Sequence, residues 1–261
     1  MRSLPARVVS PLITLALIVA LWQSVVWLTG VKRFILPEPW SVAEALWRYR
    51  ASLAEHTLTT LTEIVLGILI AVTLGMLTAL LLMASKTARE RGQTLLVITQ
   101  ALPVFALAPI LTLWLGYGLW SKVAMATLII YFPVTVTFFD GLRRTDPGLL
   151  DLARVMGGTP RRILWQIRAP AALPALASGL KLAAVYAPIG AVIGEWVGAS
   201  HGLGYLMLRA NGEVKTDLMF ACVIVLAALA VTLHALVSAF AARLARWRPE
   251  SADQAESAQS Q

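Results

Sequence analysis

A chain of 261 residues that is 58% apolar and only 14% charged departs from soluble domains, in which about a quarter of residues carry charge, and reads as an integral membrane protein. Its formal charge of +8 would suit a nucleic-acid partner, but the basic residues stand in clusters between long apolar runs. That spacing fits positive-inside topology and excludes nucleic acid.

Arg2 and Arg7 precede an apolar run from Val8 to Gly30. The run is too long for a signal-peptide core and lacks a small-residue cleavage pattern, so it reads as an uncleaved first span. A bilayer crossing takes about 20 apolar residues in helical form. Six stretches qualify or nearly so: 8–30, 57–84, 93–116, 120–140, 176–199 and 218–241. The fold class is therefore all-α, a polytopic membrane protein with six transmembrane helices. The single cysteine, Cys222, lies in the sixth stretch, so no disulfide framework or cysteine metal site is expected.

Six crossings put both termini on one side. That side, with the loops 85–92 and 141–175, holds fourteen Lys and Arg against seven opposite, Lys122 among the seven. The excess places the termini in the cytoplasm.

Between the first two spans, Pro37 to Glu55 is too polar to cross and is expected to form an amphipathic helix at the outer interface, with Trp40 and Trp47 at headgroup depth. The chain then divides into 1–53 (first span and this helix), 54–242 (transmembrane core) and 243–261, whose polar end from Pro249 is expected to be a disordered tail.

Small residues recur at Gly67, Ala71, Gly75 and Ala79 in the second span and at Gly190, Gly194 and Gly198 in the fifth. Such stripes let helix backbones approach closely, within the chain or between subunits. In the third span Pro103 and Pro109 each remove a backbone donor, and Gln100 places an amide beside the break. Irregular backbone at membrane depth is tolerated in packed protein or along a cavity, so this span is either a pathway wall or a packed kink.

The 141–175 loop carries two start signals. Asp146–Pro147 predicts a helix to about Met156, ended by Gly157 and Gly158, and Thr159–Pro160 predicts a second that stops before Pro170. Leu149, Leu152, Ala153 and Met156 form an apolar stripe, while Arg154, Arg161, Arg162 and Arg168 supply charge. Periodicity alone leaves two readings, helices lying on anionic lipid or a partner's docking surface.

Asp151, Ala153, Gly157 and Pro170, in the order D-x-A-x-x-x-G with proline thirteen residues on, resemble the E-A-A loop of ABC importer permeases. Residues 103–116, PVFALAPILTLWLG, and 194–205, GEWVGASHGLGY, are similar to the sulfonate, taurine and nitrate subgroup. The likeness runs from about residue 37 to 242. Departures are mild: Asp151-Leu152-Ala153 replaces Glu-Ala-Ala, Gly158 replaces a common alanine, and Ala169 precedes Pro170 where leucine is usual.

The resemblance implies a type I importer permease of the bacterial inner membrane. Its partners would be a second permease copy, a cytoplasmic ATPase dimer and a periplasmic substrate-binding protein. The coupling residues it implies are Asp151, Leu152, Ala153, Met156, Gly157, Gly158, Thr159, Arg161, Arg162 and Pro170. The chain has no G-x-x-x-x-G-K-[ST] phosphate loop, so no cofactor of its own is expected and ATP would sit on the partner. The runs 141–158 and 187–221 look most like permeases for hydroxymethylpyrimidine, a thiamine precursor, with aliphatic sulfonate, taurine or nitrate as alternatives.

Glu195, near the outer end of the fifth span, either lines an outer gate or reaches the interface; Glu63 is expected at the interface. Tyr131, Tyr186 and Trp196 either face the pathway with Gln100 and Pro103, or pack and anchor. His56, His201 and His234 fall on separate segments without metal-ligand spacing, so no metal is expected. A secondary carrier would show paired mid-membrane acids or an inverted repeat. An enzyme would need a nucleophile with its base or a metal set, and neither H-E-x-x-H nor a G-x-S-x-G elbow is expected here.

Overall fold

The computed structural model describes residues 4–100 and 103–244, and within them the chain is helical with no strand. The polar tail expected from Pro249 lies outside these residues. In chain order the helices are α1 (Leu4–Thr29), α2 (Pro39–Arg48), α3 (Arg50–Met83), α4 (Lys86–Gln100), a 3-10 turn (Val104–Leu107), α5 (Ala108–Leu115) and α6 (Leu119–Arg143). They continue with α7 (Pro147–Val155), α8 (Pro160–Ile163), a π turn (Leu164–Arg168), α9 (Ala169–Ala171), α10 (Leu173–Trp196), α11 (Leu203–Gly212) and α12 (Thr216–Leu244).

Among the described residues, α3, α6, α10 and α12 are long and apolar enough to cross a membrane, and shorter apolar stretches occupy 13–29 and 104–115. These six coincide with the segments expected from hydropathy. The third is broken where prolines were expected to break it: Pro103 caps the 3-10 turn, and Pro109 stands in the first turn of α5. α3 begins seven residues before its apolar run, because only Tyr49 separates it from α2, with Tyr49 N bonded to Ala45 O and Leu53 N to Tyr49 O.

Two compact units divide the chain. In the first (residues to 59, and 200–227), Val42 and Ala45 of α2 are buried with Leu53, Leu203, Leu206, Ala210, Leu218 and Cys222. The apolar face of α2 therefore rests on α11 and α12, while Trp40 and Trp47 stay exposed. Thr216 Oγ1 donates to Phe34 O at 2.8 Å, tying the start of α12 to the loop before α2.

In the second unit (60–199 and from 228), α3, α6 and α10 build the core around Ile64, Ile130, Phe138 and Ala187. Both small-residue stripes are used here, inside the chain. A β-carbon added at Gly67 would lie 2.8 Å from Ala126 Cβ, and one at Gly75 2.9 Å from Thr135 Oγ1, so α3 runs parallel to α6 in one register. Gly141 faces Ala172 and Ala175, Gly190 faces Ala126 and Gly194 faces Lys122, which sets α10 antiparallel to α6 from end to end. At Gly190 the added carbon would be 2.7 Å from Ala126 Cα, a backbone atom that cannot swing aside.

Gly190→Val is therefore expected to cost about 1–3 kcal/mol, the usual penalty of overpacking, whereas Gly212→Ala, which meets open space, should be close to neutral. Thermal unfolding of the two detergent-purified variants measures the difference.

Candidate functional site

The 141–175 loop folds much as its caps dictate. Asp146 Oδ1 accepts from Gly148 N at 2.8 Å with Pro147 at the first helical position, and α7 starts there. At its other end Gly157 adopts φ +80°, Gly157 N donates to Arg154 O (2.9 Å) and Gly158 N to Ala153 O (2.8 Å). This pair of bonds around a left-handed residue closes the helix and satisfies its last carbonyls. A β-carbon at Gly158 would sit 2.6 Å from Ala153 O, which explains glycine at a place where the resemblance leads one to expect alanine. Thr159 Oγ1 then accepts from Arg162 N at 3.3 Å and opens α8.

The second helix does not stop before Pro170, contrary to the expectation from proline. α8 passes into the π turn, and Pro170 sits inside α9. The widened turn spares the i→i−4 bond that proline cannot donate. Arg168 Nη1 donates to Leu142 O at 3.0 Å, pinning the turn to the end of α6.

Leu150 and Ile163 are buried anchors. Leu149, Leu152, Val155 and Met156 are exposed, Val155 and Met156 by 86% and 78%. Asp151 turns outward and pairs with Arg154 at 2.6 Å. Thr159, Arg161 and Arg162 are exposed, while Ala153, Gly158 and Pro170 are half-buried. The loop is a rigid, internally capped body with an apolar face left open.

At the opposite end of the α6–α10 pair lies a set of buried polar groups. Thr60, Glu63, Lys122 and Glu195 are each at most 2% exposed. Thr60 Oγ1 donates to Glu195 Oε1 at 2.6 Å, and Glu63 Oε2 is buried with no hydrogen-bond partner among the described residues. Lys122 Nζ donates to Tyr117 O at 2.5 Å and Gly198 O at 3.1 Å, stitching the loops before α6 and after α10. Gly198, at φ +128°, allows this: a β-carbon there would meet the Tyr117 ring at 2.6 Å.

Two expectations are corrected here. Glu63 is buried rather than interfacial, and Lys122 is buried rather than an outer-loop charge, because its ammonium is held by two loop carbonyls where α6 and α10 close on each other. The sequence carried a signal for this set that charge counting passed over: opposite charges inside three separate apolar runs.

The residues expected to line a pathway do not converge on one cavity. Tyr131 packs on the core with its hydroxyl 3.0 Å from Thr78 Oγ1. Tyr186, with Phe132, Pro133 and Val104, borders a hollow of about 430 Å³ beside α6 and α10. Glu195 belongs to the buried set, Trp196 is half-exposed and Pro103 exposed. Gln100 closes α4, and its side chain lies outside the described residues. His56 and His201, distant in sequence, meet with ring centroids 5.9 Å apart, and His56 Nδ1 accepts from Gly202 N at 2.9 Å. Residues 198–202, G-A-S-H-G, spell the G-x-S-x-G pattern. They form a loop between two helices, without the strand that a nucleophile elbow requires.

The sequence comparisons place this architecture. Residues 71–247 match the model of the binding-protein-dependent transport system inner membrane component family. The chain belongs to that family. It is thus the permease subunit of an ABC importer, a transport protein and not an enzyme.

A probable ABC transporter permease of Haemophilus influenzae is 47% identical to it, over 87% of this chain and 93% of that one. The formylaminopyrimidine transport permease of Halalkalibacterium halodurans is 33% identical over 93% and 97%. Among solved structures, an amino acid ABC transporter superposes with TM-score 0.61 at 20% identity, covering 76% of this permease and 96% of that chain. The likeness establishes the type I importer permease fold.

Lys122→Met removes the donor from two loop carbonyls and the cation beside two carboxyls. The permease is expected to lose about 3–5 kcal/mol, as when one partner of a buried charge set is deleted. Thr60→Val should cost about 1–3 kcal/mol. Thermal unfolding in detergent reads both, and a Lys122→Met permease as stable as the parent would exclude a structural role for the set.

Proposed function

We propose that this permease imports a substituted pyrimidine of the hydroxymethylpyrimidine type, driven by an ATPase dimer seated on residues 147–168. The observation that carries the seat is the open apolar face of α7 (Leu149, Leu152, Val155, Met156) beside Arg161 and Arg162, on a loop that its own caps hold rigid. A face of this kind on a loop between two spans calls for a partner surface. On this reading both termini and the loop are cytoplasmic. A second copy of the chain completes the pathway, and a periplasmic binding protein supplies the substrate.

The connections of the loop support the coupling reading. Asp146 starts α7 three residues after α6 ends, and the π turn and α9 join α8 to α10 with Ala172 as the only residue between them. Closure of the ATPase pair would move α7 and α8 as one body and tilt α6 and α10 with them. ATP binding thereby shifts the population between inward-facing and outward-facing arrangements. The substrate reading rests on the formylaminopyrimidine permease, which matches nearly full length. On this reading the binding protein selects the solute first.

Two measurements test the proposal. Arg161→Glu with Arg162→Glu should leave the permease in the membrane but abolish co-purification with the ATPase and ATP-dependent uptake of labelled hydroxymethylpyrimidine. Uptake of taurine instead would replace the substrate reading, and transport without the ATPase would overturn the machinery. Pro160→Cys should react with an impermeant maleimide only from the cytoplasmic side, against a silent background because the native Cys222 is buried. Labelling from outside would invert the topology.

A further inference from the structure

Beside the open face of α7, and not part of it, lies a cavity of about 810 Å³. Its basic wall is Arg89 of α4, Arg154 of α7, Arg161 of α8 and Arg168 of the π turn; its other wall includes Leu77 and Leu81 of α3. None of Leu149, Leu152, Val155 or Met156 lines it, and Arg161 is the residue it shares with the charged edge of the proposed ATPase seat.

Four arginines line this hollow, with no acidic side chain among its described lining residues. Asp151 answers Arg154 from outside the lining. Burial, and then the like charges of Arg89 and Arg154, pull Arg168 below its usual value. A cluster with this excess of positive charge attracts an anion, and arginine forks match phosphate oxygens in pairs.

The second wall decides which anion. Leu77 and Leu81 end an apolar span and are 52% and 71% exposed, a surface that suits an acyl chain. Trp165, 56% exposed, stands on the basic side of the same cavity, where an indole suits the headgroup layer. A ligand filling both walls carries a phosphate on one end and an alkyl chain on the other.

We propose that this cavity is a binding site for an anionic phospholipid, its headgroup phosphate held by Arg89, Arg154, Arg161 and Arg168 and its acyl chain laid along Leu77 and Leu81. Basic pockets against transmembrane helices on the cytoplasmic side take such headgroups. The site ties loop and bilayer together between α6 and α10, and it shares Arg161 with the proposed ATPase seat.

The test uses the delipidated full-length permease in detergent, titrated with fluorescent phosphatidylglycerol and with phosphatidylcholine of the same chains. Saturable binding is expected for phosphatidylglycerol alone. Arg89→Gln should weaken it about fivefold, the weight of about 1 kcal/mol per basic side chain at an anionic surface. Arg91→Gln, on the same helix but outside the cavity, should leave it unchanged. Arg154→Gln, on an exposed side chain, is the second variant and should weaken binding by the same factor.

Equal binding of the two lipids, an equal loss with Arg91→Gln, or wild-type binding by either folded cavity variant would overturn the site. Complete displacement by inorganic phosphate would make it a free-anion site instead. Displacement by added ATPase subunit would assign the cavity to that partner, whereas failure of the ATPase to bind at all leaves the lipid titration intact.

Discussion

Helices α6 and α10 approach so closely that their backbones nearly touch, glycine against alanine or lysine, in one antiparallel register along their whole length. In lipid there is no hydrophobic gain from pressing one apolar helix on another, so association depends on van der Waals contact at short range. Gly190 and Gly194 supply that contact, and α3 joins the pair through Gly67 and Gly75. The consequence is mechanical: what happens at one end of the pair is felt at the other. The capped α7–α8 body hangs from one end, and the Lys122, Glu63 and Glu195 set closes the other.

Those two ends handle charge in opposite ways. At the buried end, Lys122 serves two loop carbonyls while Thr60 serves Glu195, so these polar groups find their partners within the chain. Charges taken out of water in this manner persist only when mutually satisfied. At the loop end the arginines outnumber the acidic residues, and Arg154 pairs with Asp151 on the exposed face. A satisfied set pins helices together; an unsatisfied one recruits something from outside the chain.

Stiffness in the loop comes from short-range chemistry rather than from burial. Asp146, Thr159 and the Gly157–Gly158 closure settle the ends of two very short helices that would be marginal in isolation. The π turn after α8 allows Pro170 to stay within helical structure, so no slack segment intervenes before α10. Rigid attachment on both sides is what a transmitting element needs, and it is obtained here with few buried side chains.

Much of this was legible in the residue order. Apolar run length marks the spans because the bilayer is a uniform solvent of known thickness, and the caps of α7 and α8 are local, each deciding its helix end within four residues. The continuation through Pro170 was not legible, since a proline reads as a stop unless a neighbouring π turn can be foreseen. Nor was the fate of the glycine stripes, which pack within the chain, or the burial of Glu63 and Lys122. Those outcomes depend on which helix lies opposite which, a matter of register between segments more than fifty residues apart. His56 meeting His201 belongs to the same kind. Sequence by itself determined where this chain crosses the membrane and where its loop helices begin and end; only tertiary structure decided which charges are paired, because pairing is a property of neighbours and not of position along the chain.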